Sequence, residues 1–207
     1  VICFEHSKSH KNTAYEFFYE NGPLAILPMQ KEHNKNISSI VWTNNTSYLD
    51  QVYDLDNMVL SEIIQSKIGS VIGEIQQIKN KKLFPISAHI NSKFYDKKLI
   101  YIGDSAHSIH PIAGQGWNLG MRDVKNLTSL SKNYKNLGID LGTLKFCKEY
   151  HQNTFYDSYI LYQVTDKLDA FFKSENWLIS IMRNSGVNML EKRKKIKNSI
   201  SDFAMGF

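Results

Sequence analysis

The sequence predicts a mixed α/β (α+β) fold with an antiparallel sheet first, a strand, loop and helix in the middle, and helices at the end. Three observations lead to this prediction. Short aromatic and aliphatic runs, separated by Asn, Gly and Pro, occupy residues 13–43. An apolar run near residue 100 leads into a glycine-containing loop, after which the spacing of apolar residues becomes helical. From residue 144 onward, apolar residues again recur at helical spacing and are expected to form the packed face of long helices; they are Leu144, Tyr150, Ile160, Val164, Leu168, Phe171 and Phe172.

The first elements have the pattern of an antiparallel sheet with one face open to a ligand. Turn signals at Asn21-Gly22-Pro23 and Asn44-Asn45 separate the candidate strands. These strands are Val1–Phe4, Thr13–Tyr19, Leu24–Leu27 and Ser38–Thr43. Residues 54–68 have helical periodicity, and Gly69 is placed to end that helix. Lys79–Lys82 then predicts a solvated turn, and Leu83–Ile86 predicts one more strand.

The central stretch, residues 99–123, predicts a strand, a loop and a helix. Leu99–Ile102 is a short apolar run typical of a buried parallel strand. Asp104 follows at the carboxyl end of that strand, where open α/β sheets bind ligands. The helix is predicted from Trp117, with its apolar face formed by Leu119, Val124, Leu127 and Leu130.

The loop before this helix has the composition of a ligand-binding segment. Pro111 restricts it, and Gly114 and Gly116 allow its backbone to approach a ligand closely. A helix N-terminus supplies unpaired N–H groups and the positive end of the helix dipole. We therefore expect an electron-rich group to bind here.

The same stretch carries a family resemblance. Gly103–His107, followed by Pro111 and Gly114–Gly120, resembles the second FAD-binding motif of the aromatic-ring flavoprotein hydroxylases. His110–Gly116 with Asn118–Gly120 more narrowly resembles the ubiquinone-biosynthesis hydroxylases of the 2-polyprenylphenol type. Other segments resemble that family's substrate-domain strands and C-terminal helices; they are Asn12–Glu16, Gly22–Pro28, Arg183–Gly186 and Ala204–Gly206.

The resemblance implies a p-hydroxybenzoate-hydroxylase-like fold that contains part of an FAD/NAD(P)-binding Rossmann-like domain. The expected division is a substrate-binding sheet in residues 1–95, a returning part of the FAD-binding domain in 96–135, and a helical region in 136–207. The residues expected to contact FAD are Asp104, Pro111, Gly114, Gln115, Gly116 and Asn118. Leu24, Ile26 and Pro28 are expected to line the substrate pocket.

The implied function is that of an FAD-dependent monooxygenase, which uses NAD(P)H and O2 to hydroxylate a polyprenylated phenol in ubiquinone biosynthesis. The sequence contains no GxGxxG fingerprint for a first dinucleotide-binding strand. We therefore expect the chain to be the C-terminal half of a longer hydroxylase, inactive by itself. The alternative is a non-catalytic flavoprotein-like fragment or subunit that binds partners in a biosynthetic complex.

Other site chemistries fit the residues less well. Gly103-Asp104-Ser105 resembles the opening of the GDS-type esterases, but His151 is the last histidine and lacks an acid three residues before it. The pairs His6/His10 and His107/His110 lack a third metal ligand, so no metal is expected. Arg122 and Asp123 are expected to form a salt bridge or a pair on the helix surface.

Composition and charge narrow the possible classes of protein further. The chain has 207 residues, 42% of them hydrophobic, and a formal net charge of +5. No apolar run approaches the roughly 20 residues that span a bilayer. Basic charge without interleaved aromatic residues does not indicate nucleic-acid binding. Lys192–Lys195 belongs to a basic amphipathic segment, which is either a solvated helix face or a contact with a membrane surface or a partner protein. The expected location is the cytoplasm, with peripheral contact to a bacterial inner membrane under the second interpretation.

Overall fold

The computed structural model describes residues 1–111 and 114–173, together with residues 193, 195, 196 and 198. Contacts divide the chain into two compact units, Val1–Pro85 and Ile86–Phe207. This division is one of packing and assigns no function to either unit. The predicted functional division at residues 95 and 135 therefore stays a prediction.

The first unit contains a five-stranded antiparallel sheet with strand order β2-β3-β4-β1-β5. Its elements are β1 (Ile2–His6), β2 (Tyr15–Tyr19), β3 (Gly22–Pro28), β4 (Asn36–Trp42), α1 (Thr46–Asp54), α2 (Asn57–Ile68) and β5 (Ile75–Lys81). The predicted antiparallel sheet is therefore confirmed. α2 ends at Gly69, whose φ of 61° favours glycine, as the sequence predicted.

One face of this sheet packs with the helices to form a hydrophobic core. Alternation along each strand places the core residues on one side. Its fully buried members include Phe4, Leu24, Ile26 and Ile40 from the sheet, and Leu60, Ile64 and Ile68 from α2. Asp56 begins α2 by accepting a hydrogen bond from the Met58 N–H.

Two predictions after α2 are wrong. Most of the predicted turn Lys79–Lys82 belongs to β5, and the predicted strand Leu83–Ile86 is not a strand. β1 is paired on both sides, with β4 and β5, and β5 forms the edge of the sheet. The segment after β5 therefore has no strand partner among the described residues, and its apolar side chains stay exposed.

The second unit consists of short strand pairs and two long helices. Its elements are β6 (His89–Ile90), β7 (Tyr95–Asp96), β8 (Leu99–Ile100), a 3-10 turn (Gly103–Ser105), β9 (His107–Ser108), α3 (Gly116–Asn136) and α4 (Leu144–Lys173). β6 pairs with β9 and β7 with β8, both antiparallel. A core that includes Phe94, Leu130, Tyr134, Phe146 and Tyr150 connects these elements.

The prediction of a buried parallel strand at Leu99–Ile102 is wrong for the described chain. The strand is only two residues long and forms a hairpin with β7, in which Lys98 takes a φ of 58°. Leu99 and Ile102 are exposed. The reason is that the described residues contain no parallel strand that could pair with this segment.

The helix predictions are partly confirmed. α3 begins at Gly116 and buries Leu119 and Leu130, whereas Val124 is exposed. α4 buries Tyr150 as expected, but the predicted core residues Leu144, Ile160, Val164 and Leu168 are exposed.

The buried side of α4 contains polar residues that the sequence pattern did not indicate. Ser158 and Thr165 donate hydrogen bonds to carbonyl groups four residues earlier in the helix, at Thr154 and Leu161. These hydroxyls can be buried because their own helix satisfies them. No helix among the described residues is long and apolar enough to cross a membrane.

The predicted C-terminal helices, Arg183–Gly186 and Ala204–Gly206, lie outside the described residues. So does most of the basic amphipathic segment around Lys192–Lys195.

Candidate functional site

The predicted loop residues lie together at the N-terminus of α3. A turn is closed by a hydrogen bond from the Gly114 N–H to the Pro111 carbonyl, at 3.0 Å. Gly114 has a φ of 61°, a conformation that favours glycine. At the start of α3, the Asn118 amide donates a hydrogen bond to Oε1 of Gln115, at 3.3 Å. The structure therefore brings Pro111, Gly114, Gln115 and Asn118 together as the sequence predicted.

The two glycines of this loop face open space. A Cβ atom added to Gly114 or Gly116 meets no described atom within 4 Å. Gly116, unlike Gly114, does not have a positive φ. The described structure therefore contains neither a packing nor a backbone reason for a glycine at position 116. A planar ligand that approaches the backbone closely fits this arrangement. Gln115 does not cap α3 with its side chain, and the first helical turn supplies N–H groups to such a ligand.

Asp104 supplies an acceptor on the neighbouring turn. It lies in the 3-10 turn Gly103–Ser105, which contacts α3. Its carboxylate is exposed and forms no hydrogen bond within the described residues. An exposed carboxylate with unused acceptor capacity fits the hydroxyl groups of a ribityl chain.

Ser105 has a structural role in this turn. Its Oγ donates to the Ile102 carbonyl at 2.7 Å and accepts from the Ile102 N–H at 3.1 Å. A nucleophilic serine needs a base within hydrogen-bond distance, but the described partners of this hydroxyl are backbone groups. The structure therefore gives no support to the esterase interpretation.

A buried network between α3 and the Asp104 turn is the part of the site that the sequence did not predict. Oδ2 of Asp123 accepts hydrogen bonds from the Gly103 N–H and from Nε2 of His107, both at 2.8 Å. The Asp123 and His107 side chains are only 0% and 2% exposed. A Cβ added to Gly120 would lie 3.7 Å from the Gly103 Cα, so the helix lies directly against this turn. Asp123 thus fixes the backbone that carries Asp104.

Arg122 and Asp123 have structural roles, as expected, but each is paired with another residue and not with its neighbour. Arg122 reaches α4 instead, where its Nη1 donates to both carboxylate oxygens of Asp157, at 3.0 and 3.1 Å. Asp123 faces the interior because it lies four residues after the buried Leu119, on the same side of the helix. That spacing is the signal in the sequence that could have identified it.

The histidines have packing roles. Nδ1 of His6 lies 2.8 Å from the Lys8 carbonyl and 3.2 Å from that of Ile72, and its Nε2 lies 2.9 Å from the Ser38 hydroxyl. Burial lowers the pKa of His6. Throughout the described ranges, no group of three or more His, Cys, Asp or Glu side chains is arranged to hold a metal ion.

The predicted substrate-contacting strand is β3, and its residues divide between the two faces of the sheet. Leu24 and Ile26 are 0% exposed and belong to the core of the first unit, so they offer no surface to a ligand. The alternate residues Ala25 and Leu27 point to the other face. Leu27 is exposed, and Pro28 is partly exposed. A substrate role for Leu24, Ile26 and Pro28 stays a prediction, and of these three only Pro28 keeps exposed surface. Leu27, which the sequence did not single out, is the exposed apolar residue of the opposite face.

Comparison with known protein families places this chain among flavin-binding proteins. Residues 2–136 match the family described as FAD binding domain, so the chain belongs to the FAD binding domain family. This match confirms FAD as the expected cofactor.

The similarity to known proteins extends beyond residues 2–136. The chain is 29% identical over 206 residues to ubiquinone hydroxylase UbiL of Rhodospirillum rubrum, covering 100% of this chain and 47% of that protein. It is 27% identical over 195 residues to 3-demethoxyubiquinol 3-hydroxylase of Escherichia coli, covering 94% and 49%. The chain thus spans about half the length of the curated relatives it matches.

Solved structures support the predicted fold class. PqsL of Pseudomonas aeruginosa, a probable FAD-dependent monooxygenase, superposes with a TM-score of 0.59 at 15% identity, over 83% of this chain and 47% of that one. OxyS anhydrotetracycline hydroxylase of Streptomyces rimosus gives a TM-score of 0.58 at 12% identity, over 99% and 40%. At these identities the likeness concerns the fold alone, and it confirms the expected p-hydroxybenzoate-hydroxylase-like class.

Proposed function

We propose that this chain is the C-terminal half of an FAD-dependent monooxygenase that hydroxylates the aromatic ring of a polyprenylated phenol in ubiquinone biosynthesis, with NAD(P)H and O2 as co-substrates. The observation that carries the proposal is the open glycine loop at the start of α3, in a member of the FAD binding domain family. The relatives named as ubiquinone hydroxylases support the substrate class.

In this proposal the residues of the second unit hold the flavin. Asp104 accepts hydrogen bonds from ribityl hydroxyls, and Pro111 packs against the ring. The backbone N–H groups of Gly114, Gln115 and Gly116, with the Asn118 amide, face the pyrimidine side. The positive end of the α3 dipole stabilises negative charge there by about 0.3–1 kcal/mol at an exposed site. The bound cofactor would supply the redox chemistry, the transfer of electrons from NAD(P)H to O2, and O2 would provide the oxygen atom added to the ring.

Other residues hold the cofactor contacts in place or contact the substrate. Asp123 holds the turn that presents Asp104, so the backbone of that turn does not have to be ordered when the cofactor binds. Leu27, on the face of β3 away from the core, supplies apolar contact for the substrate. A polyprenylated substrate dissolves in lipid, which supports a cytoplasmic protein that touches the inner membrane.

The test measures flavin retention by the full-length gene product. We expect the purified protein to show the visible absorbance of bound FAD, and Asp104→Ala and Gly116→Leu to lose it. Gly116→Leu is informative because its side chain would meet no described atom, so its thermal unfolding should stay at the wild-type temperature. Asp50→Ala, which removes an exposed carboxylate from α1, is the matched control and should keep its flavin.

Activity is tested separately with a polyprenylated phenol. The flavin-loaded protein should oxidise NAD(P)H faster in its presence and form a product heavier by one oxygen atom. A folded full-length protein without flavin would favour the non-catalytic subunit instead. If both variants kept their flavin, the residues assigned to the cofactor would be wrong.

A further inference from the structure

The turn between α3 and α4 exposes an unusual concentration of aliphatic side chains. Four large ones occur within eight residues and are between 37% and 71% exposed; they are Leu137, Ile139, Leu141 and Leu144. Exposed apolar residues scattered singly are normal on a protein surface. A cluster of four at the end of a helical hairpin indicates a binding surface.

Hydrogen bonds hold this turn in one conformation. Gly138, with a φ of 69°, ends α3, and the Ile139 N–H donates to the Tyr134 carbonyl at 3.0 Å. The Asp140 carboxylate accepts a hydrogen bond from a backbone N–H within the turn, and the Thr143 hydroxyl accepts one from the first turn of α4. The aliphatic side chains are therefore presented by an ordered backbone, which lowers the entropic cost of binding.

Four basic residues flank the aliphatic ones in the sequence. Lys132 and Lys135 lie on the last turns of α3, and Lys145 and Lys148 on the first turns of α4; all four are exposed. A depression of the surface is lined by Leu137, Ile139 and Lys145 among others, so apolar and basic groups share one surface.

Two acidic residues, Asp140 and Glu149, lie in the same segment, and each accepts a hydrogen bond. Asp140 accepts the turn N–H, and Glu149 accepts a hydrogen bond from the Tyr134 hydroxyl at 2.6 Å. Within residues 1–111 and 114–173, none of the four lysines forms an ion pair. Residues 132–149 thus carry four lysines against two carboxylates, and this local excess of positive charge is available to an outside partner.

We propose that this docking turn, residues 137–144 with Lys132, Lys135, Lys145 and Lys148, binds the surface of an anionic phospholipid bilayer. The aliphatic side chains enter the boundary between headgroups and acyl chains, and the lysines bind lipid phosphates. Lysine is depleted in protein–protein interfaces, whereas it is favoured at membrane surfaces. Four exposed lysines on the helix ends next to an apolar turn therefore favour lipid over a protein partner.

The docking turn lies at the opposite end of α3 from the Gly114–Gly116 loop. α3 has 21 residues, which corresponds to about 30 Å at a rise of about 1.5 Å per residue. Membrane binding there leaves the loop at Gly116 uncovered. It also does not depend on the proposed flavin chemistry, so each can fail without the other.

The experiment is co-sedimentation of the full-length protein with vesicles. Vesicles of phosphatidylcholine alone are compared with vesicles that also contain phosphatidylglycerol. We expect binding to the anionic vesicles, with a loss at high salt because salt screens the lysines. Lys145→Gln with Lys148→Gln should weaken partition about five-fold for each lysine replaced. Because both lysines lie at the N-terminus of α4, their removal is favourable for the helix dipole and should not unfold the protein.

The apolar contribution is tested with Leu137→Ser and Leu141→Ser, which should weaken partition about ten-fold or more for each leucine buried in lipid. The matched controls lie outside the docking turn. Met58→Ser with Val59→Ser removes exposed apolar residues from α2, and Lys31→Gln with Lys97→Gln removes exposed charge elsewhere. These controls should bind like the wild type.

Three results would overturn the proposal. The first is equal binding to both kinds of vesicle. The second is a pair of docking-turn variants that sediment with vesicles like the wild type, or controls that lose as much as they do. The third is a wild-type protein that binds no vesicle but self-associates through this turn in analytical ultracentrifugation, which would make the surface an interface between protein copies.

Discussion

Replacing Asp123 with alanine tests how the turn that carries Asp104 is held. The substitution removes the acceptor of two hydrogen bonds, one from the Gly103 N–H and one from His107. A buried donor left without a partner costs about 1–3 kcal/mol. Breaking a buried pair by removing one member costs about 3–5 kcal/mol. We therefore expect Asp123→Ala to lower the free energy of unfolding by about 3–5 kcal/mol.

The assay is equilibrium unfolding in urea, combined with flavin retention. Arg122→Ala is the matched variant, because it removes the neighbouring ion pair with Asp157, which is partly exposed. Such pairs contribute about 0–1 kcal/mol. Asp123→Asn keeps one acceptor oxygen and should fall between the two. At a urea concentration where Arg122→Ala keeps its flavin, Asp123→Ala should release it.

The reasoning is refuted if Asp123→Ala and Arg122→Ala lower the free energy of unfolding equally. It is also refuted if Asp123→Ala is destabilised as expected but binds FAD as tightly as the wild type under native conditions. In that case Asp123 would stabilise the second unit without presenting Asp104 to the cofactor.

Three further outcomes follow from particular side chains. Burial lowers the pKa of His6 from its ordinary value of 6.5. Its contribution to stability is therefore present above pH 6.5 and is lost as the pH falls through the lowered value. Urea unfolding at stepwise lower pH should show this loss, and His6→Asn should weaken the pH dependence of the free energy of unfolding. Leu24→Ala should destabilise the first unit by about 2–5 kcal/mol because it leaves a cavity, whereas the exposed Leu27→Ala should leave urea unfolding nearly unchanged and raise the KM for the phenol. The hydrogen bond to Glu149 raises the pKa of Tyr134 to about 12, and Glu149→Gln should lower it in an NMR titration of the tyrosine ring.

The parts of the site that the sequence predicted are those with local causes. A glycine with positive φ at position 114, a proline at 111 and a helix that begins two residues after Gly114 are all set by backbone preferences of neighbouring residues. The antiparallel sheet was also predictable, since its strands alternate and its turns contain Asn, Gly and Pro. The end of α2 at Gly69 has the same kind of cause.

The errors concern residues whose state depends on a distant partner. Leu99–Ile102 has the composition of a buried strand, but burial requires neighbouring strands, and the described residues supply only β7. Leu24 and Leu27 belong to the same apolar run, and only the packing of α2 on one face decides which of them is buried. Composition cannot distinguish these outcomes, because both faces of the strand are apolar.

Asp123 shows why a polar residue at a core position is informative. Helical spacing from Leu119 places it on the buried side of α3, where a lone carboxylate would be costly. It is therefore present only because donors meet it there, and the structure supplies them from Gly103, 20 residues away, and from His107. The periodicity that identifies a helix's apolar face can thus also identify a charged residue that needs a partner. In this chain the partner is the turn that carries Asp104. The helix whose N-terminus follows the Gly114–Gly116 loop therefore also positions the proposed ribityl acceptor.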